Sequence, residues 1–275
     1  MTTYSPKEYW TGVAEDSRCD DATGNAPVLH PGAPPWFNCV IDRLQFRAVR
    51  RALALAAVPP GAHILDVGCG TGRWLRRYVT IGYQVTGVDA TPAMLQIAQR
   101  LGTVVPLIAG EAQRLPFADA AFDCVTDITV LQHIPSSLQP FALGEMLRVV
   151  KPGGRLILME LIRGKGAHIF PRIPLDWIQL VTVHGAKPMD WFGQEFLLLD
   201  RMFTRAAQVA VQRNVRRALN DAFPGASESH HSTAARRAYW GVRRVTVSFS
   251  AWADPIVERI CPRAFATHGV FIFQK

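Results

Sequence analysis

The sequence predicts an α/β protein built around a mostly parallel sheet, and three observations carry that expectation. From Ala62 to Leu161 short apolar runs alternate with helix-length segments, the rhythm of repeated strand–helix–strand units. A glycine-rich turn, Gly68-Cys69-Gly70-Thr71-Gly72, joins the first apolar run to the first helix of that series. Lys151-Pro152-Gly153-Gly154 ends a third helix and turns the chain back into the sheet.

The elements follow in chain order. Residues 1–57 read as an N-terminal helical and aromatic cap, in which the Pro- and aromatic-rich stretch His30–Asn38 precedes a helix from Ile41 to Ala57. Residues 58–275 read as the main domain, with strands at Ala62–Val67, Gln84–Asp89, Val104–Ala109, Phe122–Ile128 and Arg155–Leu161. Helices are expected at Gly72–Ile81, Pro92–Leu101 and Ser137–Val150, the last two opened by Thr91-Pro92 and by Ser136-Ser137. Residues 162–242 read as a helical, substrate-side insertion between strands five and six. Its main helix, Gln194–Asn220, spaces Phe196, Leu199, Met202, Phe203, Ala206, Val209 and Ala210 as a core stripe, with a pocket wall or a homodimer contact as alternatives. Strands six and seven are expected at Arg244–Ala251 and Thr267–Phe273.

Composition narrows the class. With 275 residues, 49% hydrophobic and 19% charged, the chain has globular composition, which excludes collagen-like, disordered and coiled-coil classes. No apolar run approaches the roughly 18 residues of a membrane span, and the opening MTTYSPKEYW lacks a basic region followed by an apolar core, so a cytoplasmic location is expected. The five cysteines are dispersed, odd in number and without a CxxC pair, which points to reduced thiols and to no structural metal. Of the net charge of +8, residues 162–245 hold +7, with 13 Lys plus Arg against 6 Asp plus Glu. Such a basic segment is a solvated face or attracts acidic ligands, anionic membranes or nucleic acid.

The chemistry concentrates at LDVGCGTGRW, Leu65–Trp74, where a strand opens into a helix through bare backbone. Gly68, Gly70 and Gly72 let a ligand approach the main chain and the N–H groups at the helix start. In a dinucleotide fingerprint a third glycine falls three residues after the second, and here that position is Arg73. Asp66, two residues before Gly68, repels a pyrophosphate and welcomes an ammonium. Asp89 ends the second strand 23 residues after Asp66, where its carboxylate can accept from both hydroxyls of a ribose. After the third strand, Glu111 can accept from an adenine amino group, and the backbone of Ala112 can read the ring edge. Amino-acid tail, ribose and adenine together describe S-adenosylmethionine.

Five blocks in order, DVGCGTG, Asp89, GEAQRLPFADAAFD, DITVLQHIP and LRVVKPGGRLIL, resemble the class I S-adenosylmethionine-dependent methyltransferases, in the small-molecule branch similar to ubiquinone/menaquinone methyltransferases. The resemblance is dense from Ala62 to Leu161 and loose over the last two strands. It implies a Rossmann-like seven-stranded sheet with an antiparallel last strand and S-adenosylmethionine over the carboxyl ends of the strands. It implies cofactor contacts from Asp66, Gly68, Cys69, Gly70, Gly72, Asp89, Ala90, Met94, Glu111, Ala112, Asp127 and Ile128, with the carbonyls of the last two accepting from the ammonium. The Asn/Asp-Pro-Pro-aromatic motif of nucleobase-amine methyltransferases and the double-glutamate loop of arginine methyltransferases are missing, so nucleic acid and protein arginine are not expected acceptors.

A small organic acceptor is the expected partner, with oxygen favoured and an acidic aromatic or lipid-like molecule suggested by the basic segment. His133, just past the fourth strand, is the candidate base, with Glu160, His30 and His184 behind it. Its alternative role is to stabilise the loop. Trp10, Trp36, Phe37, Trp177 and Trp191 are candidate acceptor contacts, and Arg172, Lys187 and Arg201 candidate partners for an acidic group. Tyr4 and Tyr9 belong to the same N-terminal aromatic set, as lid or as packed cap. A non-catalytic S-adenosylmethionine-binding or scaffolding protein is the rival reading, separated from the first by whether any acceptor is turned over.

Overall fold

The structure, a computed structural model, describes residues 4–16, 24–25, 28–30, 33–164, 166–206, 233–261, 263 and 266–275, with backbone alone for 233–238. Seven strands form one sheet in the order β3-β2-β1-β4-β5-β7-β6. They are β1 (His63–Val67), β2 (Gln84–Asp89), β3 (Leu107–Ala109), β4 (Phe122–Ile128), β5 (Val150–Leu161), β6 (Lys187–Gln194) and β7 (His268–Gln274). β7 runs antiparallel to both neighbours, β5 and β6, and the β1–β2, β1–β4, β2–β3 and β4–β5 pairs are parallel. The expected Rossmann-like sheet with an antiparallel last strand is the one observed.

The helices are α1 (Pro6–Glu15), α2 (Pro35–Leu55), α3 (Arg73–Thr80), α4 (Pro92–Arg100), α5 (Gln139–Val149), α6 (Pro174–Thr182) and α7 (Thr233–Ile260). α1 starts on Ser5, whose hydroxyl accepts from the Glu8 N–H at 3.4 Å, with Pro6 at the first helical position. α2 begins at Pro35 rather than Ile41, because Pro34 and Pro35 have the fixed φ that suits a helix start. Strand alternation separates two cores. Leu65, Val125, Leu156 and Phe271 face Met146 of α5 and Trp177 of α6, while Ile64, Cys124, Ile157 and Ile272 face Val49 of α2 and Tyr78 of α3.

The last third of the chain differs from expectation. Residues 244–251 are helical, within α7, and the sixth strand lies at Lys187–Gln194, inside the segment read as an insertion. The long helical excursion therefore falls between β6 and β7, and only α6 separates β5 from β6. Arg-Val-Thr-Val-Ser-Phe-Ser-Ala alternates like a strand, yet the packing has helical spacing: Val247, Ser250 and Asp254 are buried while Val245, Phe249 and Trp252 are exposed. Lys187-Pro188-Met189-Asp190 carries few strand formers, but β6 is a sheet edge, where Pro188 needs no ladder partner on its open side. The helix expected at Gln194–Asn220 opens at 198, after β6, and is described to 206. Its continuation, like Cys19, lies outside the described residues.

Candidate functional site

A cavity of about 280 Å³ opens at the carboxyl ends of the parallel strands. Its floor is the turn Gly68–Gly70 after β1. Asp89, Ala90 and Thr91 after β2, Gly110–Gln113 after β3 and Ile128–Val130 after β4 form its walls. Met94, Trp74, His133, Ile134 and Leu138 add apolar and aromatic surface, and the cap residue Ser5 with Pro6, Lys7 and Trp10 of α1 closes over it.

The glycine turn works differently from the sequence expectation. The N–H groups of Gly68 and Cys69 donate to the Val88 carbonyl, at 2.7 and 3.0 Å, and that of Gly72 to the Cys69 carbonyl at 2.9 Å. The N–H of Gly70 donates to Asp89 Oδ2 at 2.8 Å. These donors are already engaged, so the turn is no phosphate nest, in agreement with the argument against a pyrophosphate. Two of its glycines are demanded by neighbouring protein. At Gly68 (φ 68°) a Cβ would stand 2.4 Å from Val130 Cγ2, and at Gly72 (φ 72°) 2.5 Å from Thr103 Oγ1.

Asp89 is held by two backbone donors, Gly70 to Oδ2 and Thr91 to Oδ1, each at 2.8 Å. Burial lifts its carboxyl above the usual range, and those two N–H groups pull it back. The remaining lone pairs are available for a vicinal diol in the cavity. Glu111 and Ala112 also line the cavity, on the opposite side of the β2 end.

Asp66, Gly72 and Asp127 do not line the cavity. Asp66 is buried behind the turn, where Oδ1 accepts from Thr126 Oγ1 at 2.8 Å and Oδ2 has no partner. Burial pushes its carboxyl up to about 7, against the Thr126 hydrogen bond. A carboxyl raised in the folded state adds stability that is complete below its unfolded pKa, about 3.9, and that is lost as pH rises through about 7. In the ligand-free protein, Asp66→Asn should therefore gain stability relative to wild type from pH 5 to 7 and level off above; identical pH profiles of the thermal midpoint would remove this account of Asp66.

Asp127 and Glu160 are fully buried on adjacent strands beneath the loop that follows β4. Glu160 accepts from the N–H groups of Val130, Leu131 and Gln132 at 2.9, 3.1 and 2.7 Å. Burial raises both carboxyls, and Asp127 raises Glu160 further, so the pair retains a proton above the usual carboxylate range. Glu160 thus shapes the loop and does not reach the cavity. Of the two carbonyls expected to accept from the ammonium, those of Asp127 and Ile128, the Ile128 carbonyl accepts from the Thr129 hydroxyl at 2.6 Å.

His133 lines the cavity with both ring nitrogens engaged. The His168 carbonyl, 3.1 Å from Nδ1, can only accept, so Nδ1 carries the proton and Nε2 accepts from the Gln132 amide at 3.2 Å. Burial lowers its pKa to about 4, which leaves the imidazole neutral at pH 7. Trp10 meets it edge-on at 5.0 Å, and Tyr4 Oη donates to its carbonyl at 3.1 Å.

The other acceptor candidates fall elsewhere. Trp177 is a core residue, its indole N–H donating to the Leu161 carbonyl at 3.3 Å. Trp191 stacks on Phe271 in the sheet, and Trp36 and Phe37 pack with Trp240 between α2 and α7. Lys187 starts β6, at the opposite end of the sheet from the cavity, and Arg172, Arg201, His30 and His184 do not line it. Residue type alone does not set packing: Trp191 packs where β6 meets β7, and Trp36 and Phe37 where α2 meets α7. Cavity residues absent from the sequence expectation include Lys7, Trp74, Thr91, Gln113 and Thr129, which sits at φ 64°. Ser5-Pro6-Lys7-Glu8 carried a readable signal, a cap residue, a helix-opening proline and a glutamate three residues after the cap.

Residues 65–158 match the family described as methyltransferase domain. A demethylmenaquinone methyltransferase of Renibacterium salmoninarum is 41% identical over 149 residues, 53% of this chain and 60% of that protein. One of Listeria monocytogenes serotype 4a is 34% identical over 169 residues, 58% of this chain and 67% of that protein. This chain belongs to the class I S-adenosylmethionine-dependent methyltransferases. S-adenosylmethionine is the cofactor of this methyltransferase. Its fold is shared with the 1,6-didemethyltoxoflavin-N1-methyltransferase of Burkholderia thailandensis, at a TM-score of 0.55 and 17% identity, over 100% of this chain and 92% of the other. The chain spans 60% of the length of the Renibacterium relative, and the family match, residues 65–158, holds most of the residues that line the cavity.

Proposed function

We propose that this methyltransferase transfers the sulfonium methyl of S-adenosylmethionine to an oxygen of a small organic acceptor, an aromatic or lipid-like molecule with an acidic group, in the cytoplasm. The observation that supports the reading is that one cavity runs from the Asp89 carboxylate to the aromatic end at Trp10 and His133. Donor and acceptor then share a single cavity. The relatives named for demethylmenaquinone support an aromatic, lipid-like acceptor. Lys7 at the rim supplies a cation for its acidic group, while the nearby Arg73 guanidinium is held by Asp42 at 2.8 Å and Gln45 at 2.9 Å.

In this reading Asp89 receives the ribose hydroxyls, Glu111 and Ala112 receive the adenine, and the Gly68–Gly70 turn borders the amino-acid tail. Asp66 acts from behind the turn. Bound there, the cofactor would supply a methyl on a sulfonium, whose leaving group needs no proton, and the acceptor oxygen enters as its anion, its proton already lost to solvent. Trp10, Ile134 and Leu138 exclude water from the acceptor side and hold it in place. Positioning of that kind is worth on the order of 7–11 kcal/mol. His133 keeps the wall rigid through its two hydrogen bonds. Accordingly, His133→Ala is expected to lower kcat by less than about a hundredfold, the lower end of general-base contributions. A ten-thousandfold loss with donor affinity intact makes His133 the base instead.

The decisive experiment is a methyl-transfer screen read by mass spectrometry, with phenolic carboxylates and demethylated quinones as acceptors. A mass gain of one methylene on an acceptor oxygen supports the reading. Tight binding of S-adenosylhomocysteine with no product from any acceptor supports the non-catalytic rival.

A further inference from the structure

We infer that the outward face of α7 is a docking surface for an anionic lipid bilayer. The 28-residue helix buries one side, through Val247, Ser250 and Asp254, against α2 and the segment after β6. Its other side carries Val242, Val245, Phe249, Trp252, Ile256 and Ile260, spaced three or four residues apart. Val245, Trp252 and Ile260 are 70, 68 and 73% exposed, and the Phe249 and Trp252 rings lie 5.6 Å apart. Isolated exposed apolar residues are ordinary, but an unbroken stripe covering roughly 27 Å of helix, at 1.5 Å per residue, marks a surface that is normally covered.

Charge decides what covers it. Among the described side chains of α7, the exposed charged groups are Arg244 and Arg259. Its two acids are turned away. Asp254 is buried and accepts from the N–H groups of Phe196 and Leu197, and Glu258 pairs with Arg51. A second copy of the helix is a poor occupant. Antiparallel pairing about Trp252 sets Arg244 of one copy against Arg259 of the other, parallel pairing sets each against itself, and no carboxylate on the face relieves either. Nucleic acid offers phosphates but no apolar layer for Phe249, Trp252 and Ile256. Anionic headgroups satisfy the arginines while the acyl boundary takes the stripe. Among the described residues no helix is long and apolar enough to cross a membrane, so α7 lies in the plane of the surface. The net charge of +8 adds long-range attraction toward it.

The test uses the full chain with two vesicle preparations, phosphatidylcholine alone and phosphatidylcholine with one third phosphatidylglycerol, in co-sedimentation. Binding to the anionic vesicles is expected to exceed binding to the neutral ones by about tenfold or more, and to weaken with salt. Trp252→Glu and the double variant Arg244→Glu/Arg259→Glu should each lower it by about tenfold or more. The substituted side chains lie outside the cavity, so unchanged S-adenosylhomocysteine affinity verifies the fold of each variant. Equal partition of wild type and variants, or none by wild type, overturns the proposal. So does a lipid-free dimer that Trp252→Glu disperses, which makes the stripe a subunit contact, or a Trp252 already shielded from an aqueous quencher in the lipid-free monomer.

Discussion

Asp89→Ala is expected to weaken S-adenosylhomocysteine binding by about a hundredfold. Two charge-assisted hydrogen bonds to ribose hydroxyls, at roughly 1.5 kcal/mol each, account for about 3 kcal/mol, or two decades in Kd. The same carboxylate accepts from the N–H groups of Gly70 and Thr91, so its removal also frees the turn that it ties to the end of β2. Asp89→Asn keeps an acceptor oxygen and loses the charge, and should fall between the two. Calorimetric titration decides the matter. An alanine variant that binds as tightly as wild type rules out the ribose assignment, because among the described residues no other carboxylate lines that part of the cavity apart from Glu111, across the β2 end.

Glu160→Ala is expected to cost about 3–5 kcal/mol of folding stability and to lower turnover at the same time. Its carboxyl receives three backbone N–H groups of residues 130–132; the Val130 N–H also reaches Asp127 Oδ1 at 3.2 Å, while those of Leu131 and Gln132 lose their acceptor, and each donor left unpaired in a buried site costs roughly 1–3 kcal/mol before relaxation. The variant also strands Asp127 beside the space it leaves. Glu160→Gln has one acceptor oxygen in place of two and should lose less. Denaturant unfolding gives the first number, and kcat with donor affinity gives the second. A stability change below about 1 kcal/mol would mean that the loop finds other acceptors.

Local chemistry made the cavity's donor side readable. The run Ile64–Val67 has no polar exit except Asp66, the glycines after it can take the positive φ of a strand-to-helix turn, and Asp89 ends the next apolar run. Gly68, Gly70, Asp89, Ala90, Met94, Glu111, Ala112 and Ile128 accordingly line one cavity. Tertiary contacts, not local pattern, chose the partners of the other groups. The N–H groups of the turn went to Val88 and Asp89, and Glu160 went to the loop after β4.

By its own residues, then, the sequence determined the strand–helix alternation from β1 to β5, the turn after β1 and the class of cofactor, since each depends on neighbours within a few positions. The end of the chain was decided in three dimensions. An alternating run became the helix α7 because α2 offered it a single apolar face, and a proline-bearing segment became β6 because the sheet had an open edge beside β7. Whether Trp177 is core or Trp10 lines the cavity depends on which surfaces those choices covered. Burial is a property of the packed whole, and no spacing along the chain encodes it.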